Sequence, residues 1–139
     1  MSARERLEVQ AYTALRILAG VLFMLHGLAG VFGLFAPMES VGSQKWIGSI
    51  IELITGPLIS VGLFTRISAF VAAGQMAVAY FQFHWKFHFD RRFFPFVNGG
   101  ELALLDCFVF LLIYVRAGGP ISIDRRMEQR RTVRTLHGR

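Results

Sequence analysis

The stretch FPFVNGGELALLDCFVFLLIYV, residues 94–115, contains an apolar run long enough for a membrane-spanning helix. Two carboxylates interrupt it, because Glu101 stands at the head of the run and Asp106 lies inside it. A charged side chain near the centre of a bilayer costs about 2.5–3.5 kcal/mol on insertion scales, so such residues usually face the interior of a helix bundle. The stretch therefore predicts a membrane helix with a polar side.

The whole chain has the composition of a membrane protein. Of its 139 residues, 54% are hydrophobic and 17% are charged, and the mean hydropathy is +0.49; soluble domains carry about 25% charged residues. Four apolar blocks lie between the charged segments, at about residues 14–35, 46–64, 67–85 and 101–117. A helix of about 20 residues spans the ~30 Å of hydrocarbon in a bilayer. We predict an all-α membrane protein, with a four-helix transmembrane bundle over residues 14–117.

Lysine and arginine are distributed unevenly between the two predicted sides of the membrane. Eleven of them lie on the side of the two termini, and four lie in the loops 38–45 and 86–100. Because basic residues favour the cytoplasmic side, both termini are predicted to be cytoplasmic. Residues 1–13 then form a cytoplasmic N-terminal segment and residues 118–139 a basic cytoplasmic tail. We interpret the first block as a retained helix, because it is too long for a signal peptide and no small-residue cleavage site follows it.

The basic tail, residues 118–139, has two interpretations. No aromatic residues alternate with its arginines, so it lacks the stacking groups of a nucleic-acid surface, and we expect no nucleic-acid partner. Attraction to anionic lipid needs only the positive charge. The lipid bilayer is therefore the expected partner of this segment.

Polar side chains occur at comparable depth on all four predicted helices. At ~1.5 Å per residue they fall in the outer half of the bilayer, except Arg16, which we expect to extend to the headgroups of the inner face. Small residues spaced four apart, Ala69 and Ala73 on the third block and Ala29 and Gly33 on the first, predict close helix packing. One outward-facing pocket is predicted, with the candidate ligand-binding residues His26, Glu52, Tyr80, His84, Asn98 and Glu101.

The two carboxylates of the opening stretch are predicted to differ in role. Asn98, with Glu101 three residues later, fits a capping box at the start of the fourth helix, and this role is compatible with a position at the pocket mouth. Glu101 and Asp106 are five residues apart, about 140° around a helix, so they do not line the same wall. We expect Asp106 to be a separate interhelical contact. Glu52, six residues into its block, has no capping role and is predicted to serve the pocket.

No metal or haem site is predicted. His84 and His88 are weak metal-ligand candidates at i, i+4 spacing, provided that the helix continues that far, and no firm third ligand accompanies them. A haem between His26 and His84 rests on two histidines alone, which carry no specificity. Cys107 is the single cysteine, so an intrachain dithiol–disulfide relay is excluded.

Several short motifs together resemble one known family. In chain order they are His26-Gly27, Glu52-x-x-x-Gly56, Gly62-Leu-Phe-Thr-Arg66, His84, Phe94-Pro-x-x-Asn-Gly-Gly-Glu-Leu-Ala-Leu-Leu105 and Gly119-Pro-Ile-Ser-Ile-Asp124. They are similar to the bacterial DoxX family, over about residues 12–125. The resemblance implies a multi-pass protein of the bacterial inner membrane, sometimes associated with oxidoreductases; relatives include a subunit of an archaeal thiosulfate:quinone oxidoreductase.

Two functions from different classes follow. The first is a redox-associated membrane subunit, whose pocket holds a quinone or similar small molecule that exchanges protons with His26, Glu52 or Glu101. The second is a non-catalytic membrane adaptor that recruits partner proteins through its basic tail and outer loop. A small transporter is a third, weaker alternative. No catalytic residue is assigned, and both redox partner proteins and a homo-oligomer are compatible with the sequence.

Overall fold

The computed structural model describes residues 1–137, which are helical and contain no strand. The α-helices are α1 Ala3–Phe32, α2 Gln44–Val61, α3 Thr65–Ala79, α4 Pro95–Asn98, α5 Glu101–Arg116 and α6 Ile123–His137. A π-helical segment, Tyr80–Trp85, directly continues α3, and a single 3₁₀ turn, Arg91–Phe93, precedes α4. The prediction of an all-α protein is confirmed. Each of the four apolar blocks coincides with one long helix or, for the third, with α3 and its π-helical continuation.

Local signals set the ends of the helices. Ser2 and Glu5 form a capping box at the start of α1, so this helix begins well before its apolar block. Ser43 caps α2 by accepting a hydrogen bond from the amide of Trp46. Both helices end at glycines in the left-handed conformation, Gly33 and Gly62.

The long helices form a ring in which α1 packs along α2, α2 along α3, and α3 along α5, while α5 returns to α1. Glycine allows the closest approach, between α1 and α2. A Cβ atom on Gly27 would lie 2.4 Å from the backbone nitrogen of Leu53, and one on Gly56 would lie 2.6 Å from that of Met24. The predicted ridge of Ala29 and Gly33 is wrong, since Gly33 ends the helix and packing occurs at other glycines.

Small residues fill much of the bundle interior, and many of the large apolar side chains point outward. Ala69 and Ala72 are fully buried on α3, as predicted for Ala69 from its spacing. A close aromatic contact inside the bundle joins α1 to α5, where the ring centroids of Phe23 and Phe110 lie 4.6 Å apart. Large apolar side chains are exposed on each long helix, including Leu18, Ile54, Phe70 and Phe108. This distribution is typical of helices that face lipid and pack through small residues.

Within residues 1–137, α1 is the one helix that meets, by itself, the length and hydropathy of a membrane span. The other three helices of the ring, α2, α3 and α5, have 18, 15 and 16 residues. Helix α2 carries Lys45 and Glu52, which lower its hydropathy, and α3 reaches spanning length only with its π-helical continuation, Tyr80–Trp85. Helix α1 is therefore a candidate membrane span by its own length and hydropathy.

Candidate functional site

A polar layer crosses the bundle, with one side chain from each long helix: His26 on α1, Glu52 on α2, Gln75 on α3 and Asp106 on α5. The amide Nε2 of Gln75 donates a hydrogen bond to Oε1 of Glu52, 3.1 Å away. His26 lies within electrostatic range of both carboxyl groups, those of Glu52 and Asp106. The layer thus contains two acids and one imidazole, contributed by three different helices.

The backbone of α1 sets the orientation of the His26 imidazole. Its Nδ1 atom lies 3.0 Å from the carbonyl oxygen of Leu22, one turn earlier in the helix. A carbonyl only accepts hydrogen bonds, so Nδ1 carries the proton in this contact. In the neutral ring, Nε2 then remains as an acceptor, and in the protonated ring it becomes a donor. His26 can therefore change its hydrogen-bonding role without breaking the contact that positions it.

A cavity of about 300 Å³ lies against this layer, and we call it the polar cavity. Residues of α1, α2, α3 and the loop after α1 line it, among them His26, Gly30, Glu39, Lys45, Glu52 and Gln75. The Gln75 amide packs against Gly48, because a Cβ atom on Gly48 would lie 2.6 Å from Nε2 of Gln75. The donor and acceptor groups of the cavity thus have defined positions.

An apolar groove of about 490 Å³ adjoins the polar cavity on the outer surface of α1. Leu22, Leu25 and Phe35 line the groove alone, whereas His26, Ala29 and Ala36 border both spaces. The His26 side chain is exposed at this junction. A ligand with a polar head and an apolar tail would match the two spaces together.

The structure divides the six candidate residues named from the sequence. Only His26 and Glu52 line the polar cavity. The other four, Tyr80, His84, Asn98 and Glu101, lie near the start of α5. Gln75 and Asp106, which were not among the six, complete the polar layer.

Tyr80, His84 and Asn98 hold the start of α5 against the π-helical segment. The hydroxyl of Tyr80 donates to the carbonyl of Phe93 at 3.5 Å, and Nδ1 of His84 lies 3.4 Å from the carbonyl oxygen of Asn98. A Cβ atom on Gly100 would lie 2.7 Å from the Tyr80 ring. These contacts are between the protein's own groups, and they position the loop before α5.

The predicted capping box of Asn98 and Glu101 is wrong. Asn98 belongs to the short helix α4, which Gly99 ends in the left-handed conformation. Oδ1 of Asn98 accepts from the amide of Gly100 at 2.8 Å, while α5 has no side-chain cap. Glu101 is exposed, and it does not line the polar cavity.

The condition for a metal site at His84 and His88 is not met. The helical segment ends at Trp85, and Lys86 and Phe87 follow with positive φ, so the two histidines do not share a helix face. Among residues 1–137, no group of three or more His, Cys, Asp or Glu side chains is placed to hold a metal ion.

The loop between the π-helical segment and α4 folds on its own aromatic and charged side chains. The Trp85 ring contacts those of Phe87, Phe89 and Phe93 with centroids 5.3–5.5 Å apart. At the loop surface, hydrogen bonds from Arg92 lower the pKa of Asp90 to about 2. The loop thus packs largely on its own side chains and against α4.

Arg16 is buried, so the prediction that its side chain extends to the lipid headgroups is wrong. Only 1% of its surface is exposed. Its guanidinium donates to the carbonyl oxygens of Ser60, at 2.7 Å, and Ile121, at 2.8 Å, as well as to that of Ile59. Ile59 and Ser60 lie in the last turn of α2, where carbonyls lack intrahelical partners. Arg16 therefore joins α1, the end of α2 and the segment before α6.

Asp124 connects the same region to α3. Its carboxylate accepts hydrogen bonds from the amides of Phe64 and Thr65, both at 2.9 Å, and from the Thr65 hydroxyl at 2.7 Å. Its own amide donates to the carbonyl of Gly62. The two motifs 62–66 and 119–124, noted from the sequence as separate, thus form one structural unit in which Asp124 caps α3.

Comparison with known proteins agrees with a membrane family. A family model described as DoxX matches residues 11–85, which include His26, Glu52 and Gln75. A protein of Haemophilus influenzae described as uncharacterized is 36% identical over 119 residues, covering 81% of this chain and 87% of that protein. No solved structure matches the chain.

Proposed function

Because this chain belongs to the DoxX family of membrane proteins, we propose that it is a redox-associated membrane subunit whose polar cavity binds a quinone headgroup or a similar small molecule. One observation supports this most strongly. His26 stands between a polar cavity that contains Glu52 and Gln75 and an apolar groove open to the surface of α1. A quinone requires such an arrangement, since its ring carries two carbonyl oxygens and its tail is apolar.

The chemistry assigned to the chain is binding and proton exchange. A quinone carbonyl accepts a hydrogen bond, and the corresponding quinol hydroxyl donates one, so the site needs groups that can change role. His26 Nε2 can donate or accept, and the Glu52 carboxyl can hold or release a proton. The lone Cys107 cannot form an intrachain dithiol–disulfide relay. In this proposal a redox partner protein supplies the two electrons that convert the quinone to the quinol.

We further propose that α1, α2, α3 with Tyr80–Trp85, and α5 all cross the bacterial inner membrane, with both termini cytoplasmic. Exposed large apolar side chains on each of these helices support this, because soluble proteins rarely expose such extended apolar surface. The basic residues concentrated near the termini favour a cytoplasmic location for both termini. In this arrangement the polar cavity opens toward the outside.

Equilibrium binding of a short-chain ubiquinone or menaquinone to the purified protein in lipid nanodiscs tests the proposal. Glu52→Gln should weaken binding by about tenfold, since it removes the carboxyl group that can donate a hydrogen bond to the quinone and exchange a proton with it. Glu101→Gln is the matched control, because Glu101 is an exposed carboxylate outside the cavity, and its affinity should match the wild type. Absence of quinone binding to the wild type, or equal effects of the two substitutions, would refute the cavity as a quinone site.

A second candidate function is that of a membrane adaptor, and the exposed helix α6 favours it. Its arginines 125, 126, 130 and 134 are exposed and offer a basic surface away from the polar cavity. An adaptor would keep its partners when Glu52 is replaced and lose them when α6 is neutralised. Affinity purification of both variants from membranes, with the same partners quantified, separates the two functions.

A further inference from the structure

A second groove, of about 730 Å³, lies at the opposite end of the bundle from the polar cavity. We call it the arginine groove. Its lining includes three arginines, one glutamate and two glycines: Arg66, Arg116, Arg125, Glu128, Gly118 and Gly119. They come from the start of α3, the end of α5, the connector after it and the first turns of α6. We propose that this groove binds the phosphate of an anionic phospholipid.

The charges around the groove favour an anion. Asp124 also lines it, but its carboxylate caps α3 through three hydrogen bonds from Phe64 and Thr65. Glu128 forms an ion pair with Arg125, N–O distance 2.9 Å, in which both side chains are more than half exposed. Such exposed pairs contribute about 0–1 kcal/mol and exchange readily. Among residues 1–137, neither Arg66 nor Arg116 forms a salt bridge with Asp124 or Glu128.

Arg116 has a fixed position without losing its charge. Its guanidinium carbon lies 5.0 Å from the centre of the Tyr12 ring, and the Tyr12 hydroxyl donates to the carbonyl of Ala117, the next residue in the chain. A cation–π contact holds the guanidinium but leaves its N–H donors able to bind phosphate oxygens. The end of α5 thus presents a positioned cation.

The connector after α5 forms a defined wall of the groove. A Cβ atom on Gly118 would lie 2.6 Å from the Cβ of Ser122 and 3.0 Å from the Thr65 hydroxyl. Gly119 has φ of +69°, and a Cβ there would lie 3.2 Å from the Tyr12 ring. Glycine at both positions lets the connector pack closely, so the groove has a defined shape before any ligand binds.

The position of the groove favours a lipid over a soluble phosphate. Phe64 and Ile67 line it and are 60% and 68% exposed. Phe70 continues this apolar surface one turn further along α3, where it is 61% exposed. A phospholipid with its headgroup in the groove would therefore place its acyl chains along an apolar helix surface. A free anion or an acidic peptide has no apolar chain to contact that surface.

Native mass spectrometry of the detergent-solubilised protein, with added phosphatidylglycerol or phosphatidylcholine, tests the proposal. The wild type should retain phosphatidylglycerol preferentially, and Arg66→Gln should reduce that retention about fivefold, the effect of one basic residue near an anionic lipid. Glu128→Gln should increase retention, because it removes the competing carboxylate. Arg130→Gln is the charge-matched control on the exposed part of α6, and we expect retention within twofold of the wild type, far below the effect of a groove residue.

Three outcomes would overturn the proposal. Equal retention of phosphatidylglycerol and phosphatidylcholine would show that the groove does not select an anionic lipid. Displacement of phosphatidylglycerol by inorganic phosphate at equal concentration would identify a soluble anion as the ligand, and displacement by a polyglutamate peptide would identify an acidic protein segment. Arg66 is exposed, so loss of folding should not complicate its variant, and circular dichroism of each variant checks this. None of these outcomes bears on quinone binding at the polar cavity.

Discussion

Arg16 donates a hydrogen bond to the carbonyl oxygen of Ser60, 2.7 Å away. This contact joins the N-terminal half of α1 to the last turn of α2. The guanidinium also reaches Ile121 in the segment before α6. A buried arginine with these partners closes one end of the bundle, just as the polar cavity opens the other. The charge of Arg16 is therefore structural, whereas the polar side chains of the cavity at the other end are available to a ligand.

We expect Arg16→Met to lower the free energy of unfolding by about 3 kcal/mol or more, since it removes three hydrogen bonds that the buried, charged guanidinium donates to α2 and to the segment before α6. Thermal unfolding in detergent, followed by circular dichroism, measures this. Arg6→Met is the control, because Arg6 lies on the same helix with an exposed side chain. If the two variants unfolded at the same temperature, Arg16 would not be a structural centre.

The cap that Asp124 provides to α3 predicts a second loss of stability. Asp124→Ala removes the acceptor for the amides of Phe64 and Thr65, and caps of this kind contribute about 0.5–2 kcal/mol. Asp124→Asn keeps one carbonyl oxygen and should lie between the wild type and the alanine variant. Glu128→Ala, an exposed carboxylate on the same helix, should change the unfolding temperature little. A wild-type melting curve for Asp124→Ala would contradict the assignment.

Hydropathy predicted the helices well, because apolar blocks of helix length are a property of the local sequence. The composition of the polar layer was predicted only in part. Depth along each helix placed His26 and Glu52 near one level, and both line the polar cavity. The 140° angle placed Glu101 and Asp106 on different walls, and Glu101 is exposed outside that cavity. The rotation of α5 then decides which acid faces His26, and packing against α1 and α3 sets that rotation. The sequence spacing cannot supply it.

Arg16 and Asn98 show two further limits. The depth of Arg16 does not say whether it faces lipid or protein, and its partners lie 44 and 105 residues away in the chain. Asn98 stands at capping-box spacing from Glu101, but Pro95 starts a separate helical turn, so Asn98 ends one helix instead of starting the next. Both errors arise because a local pattern has more than one tertiary solution.

The close packing of α1 on α2 gives a matched pair of glycine substitutions. A methyl group on Gly27 would meet the backbone of Leu53, which cannot move aside, so Gly27→Ala should destabilise the protein by about 1–3 kcal/mol. A Cβ atom on Gly74 meets nothing within 4 Å, and Gly74→Ala should be neutral or stabilise α3 by up to about 1 kcal/mol. Thermal unfolding of both variants in one detergent compares them. Similar behaviour of the two would show that α1 and α2 do not pack as described.

The proposed membrane arrangement predicts the side on which each loop lies. A reporter fused after Arg139, or inserted next to Leu63 between α2 and α3, should be cytoplasmic. A reporter inserted near Gly42 or near Arg91 should be extracytoplasmic. The expected pattern follows from the concentration of basic residues near the termini, together with apolar surface on four helices.

The insertions also distinguish a protein with four membrane spans from one in which α1 alone crosses the membrane. Helix α1 is the one described helix that has the length and hydropathy of a span by itself. With α1 as the only span, every reporter beyond residue 32 would report the same side. With four spans, the reporter must change side between Gly42 and Leu63, again before Arg91, and again before Arg139. Reporters active in the cytoplasm and in the periplasm, placed at the same four positions, give complementary signals for each site. An extracytoplasmic C-terminus would contradict both the four spans and the outward opening of the polar cavity.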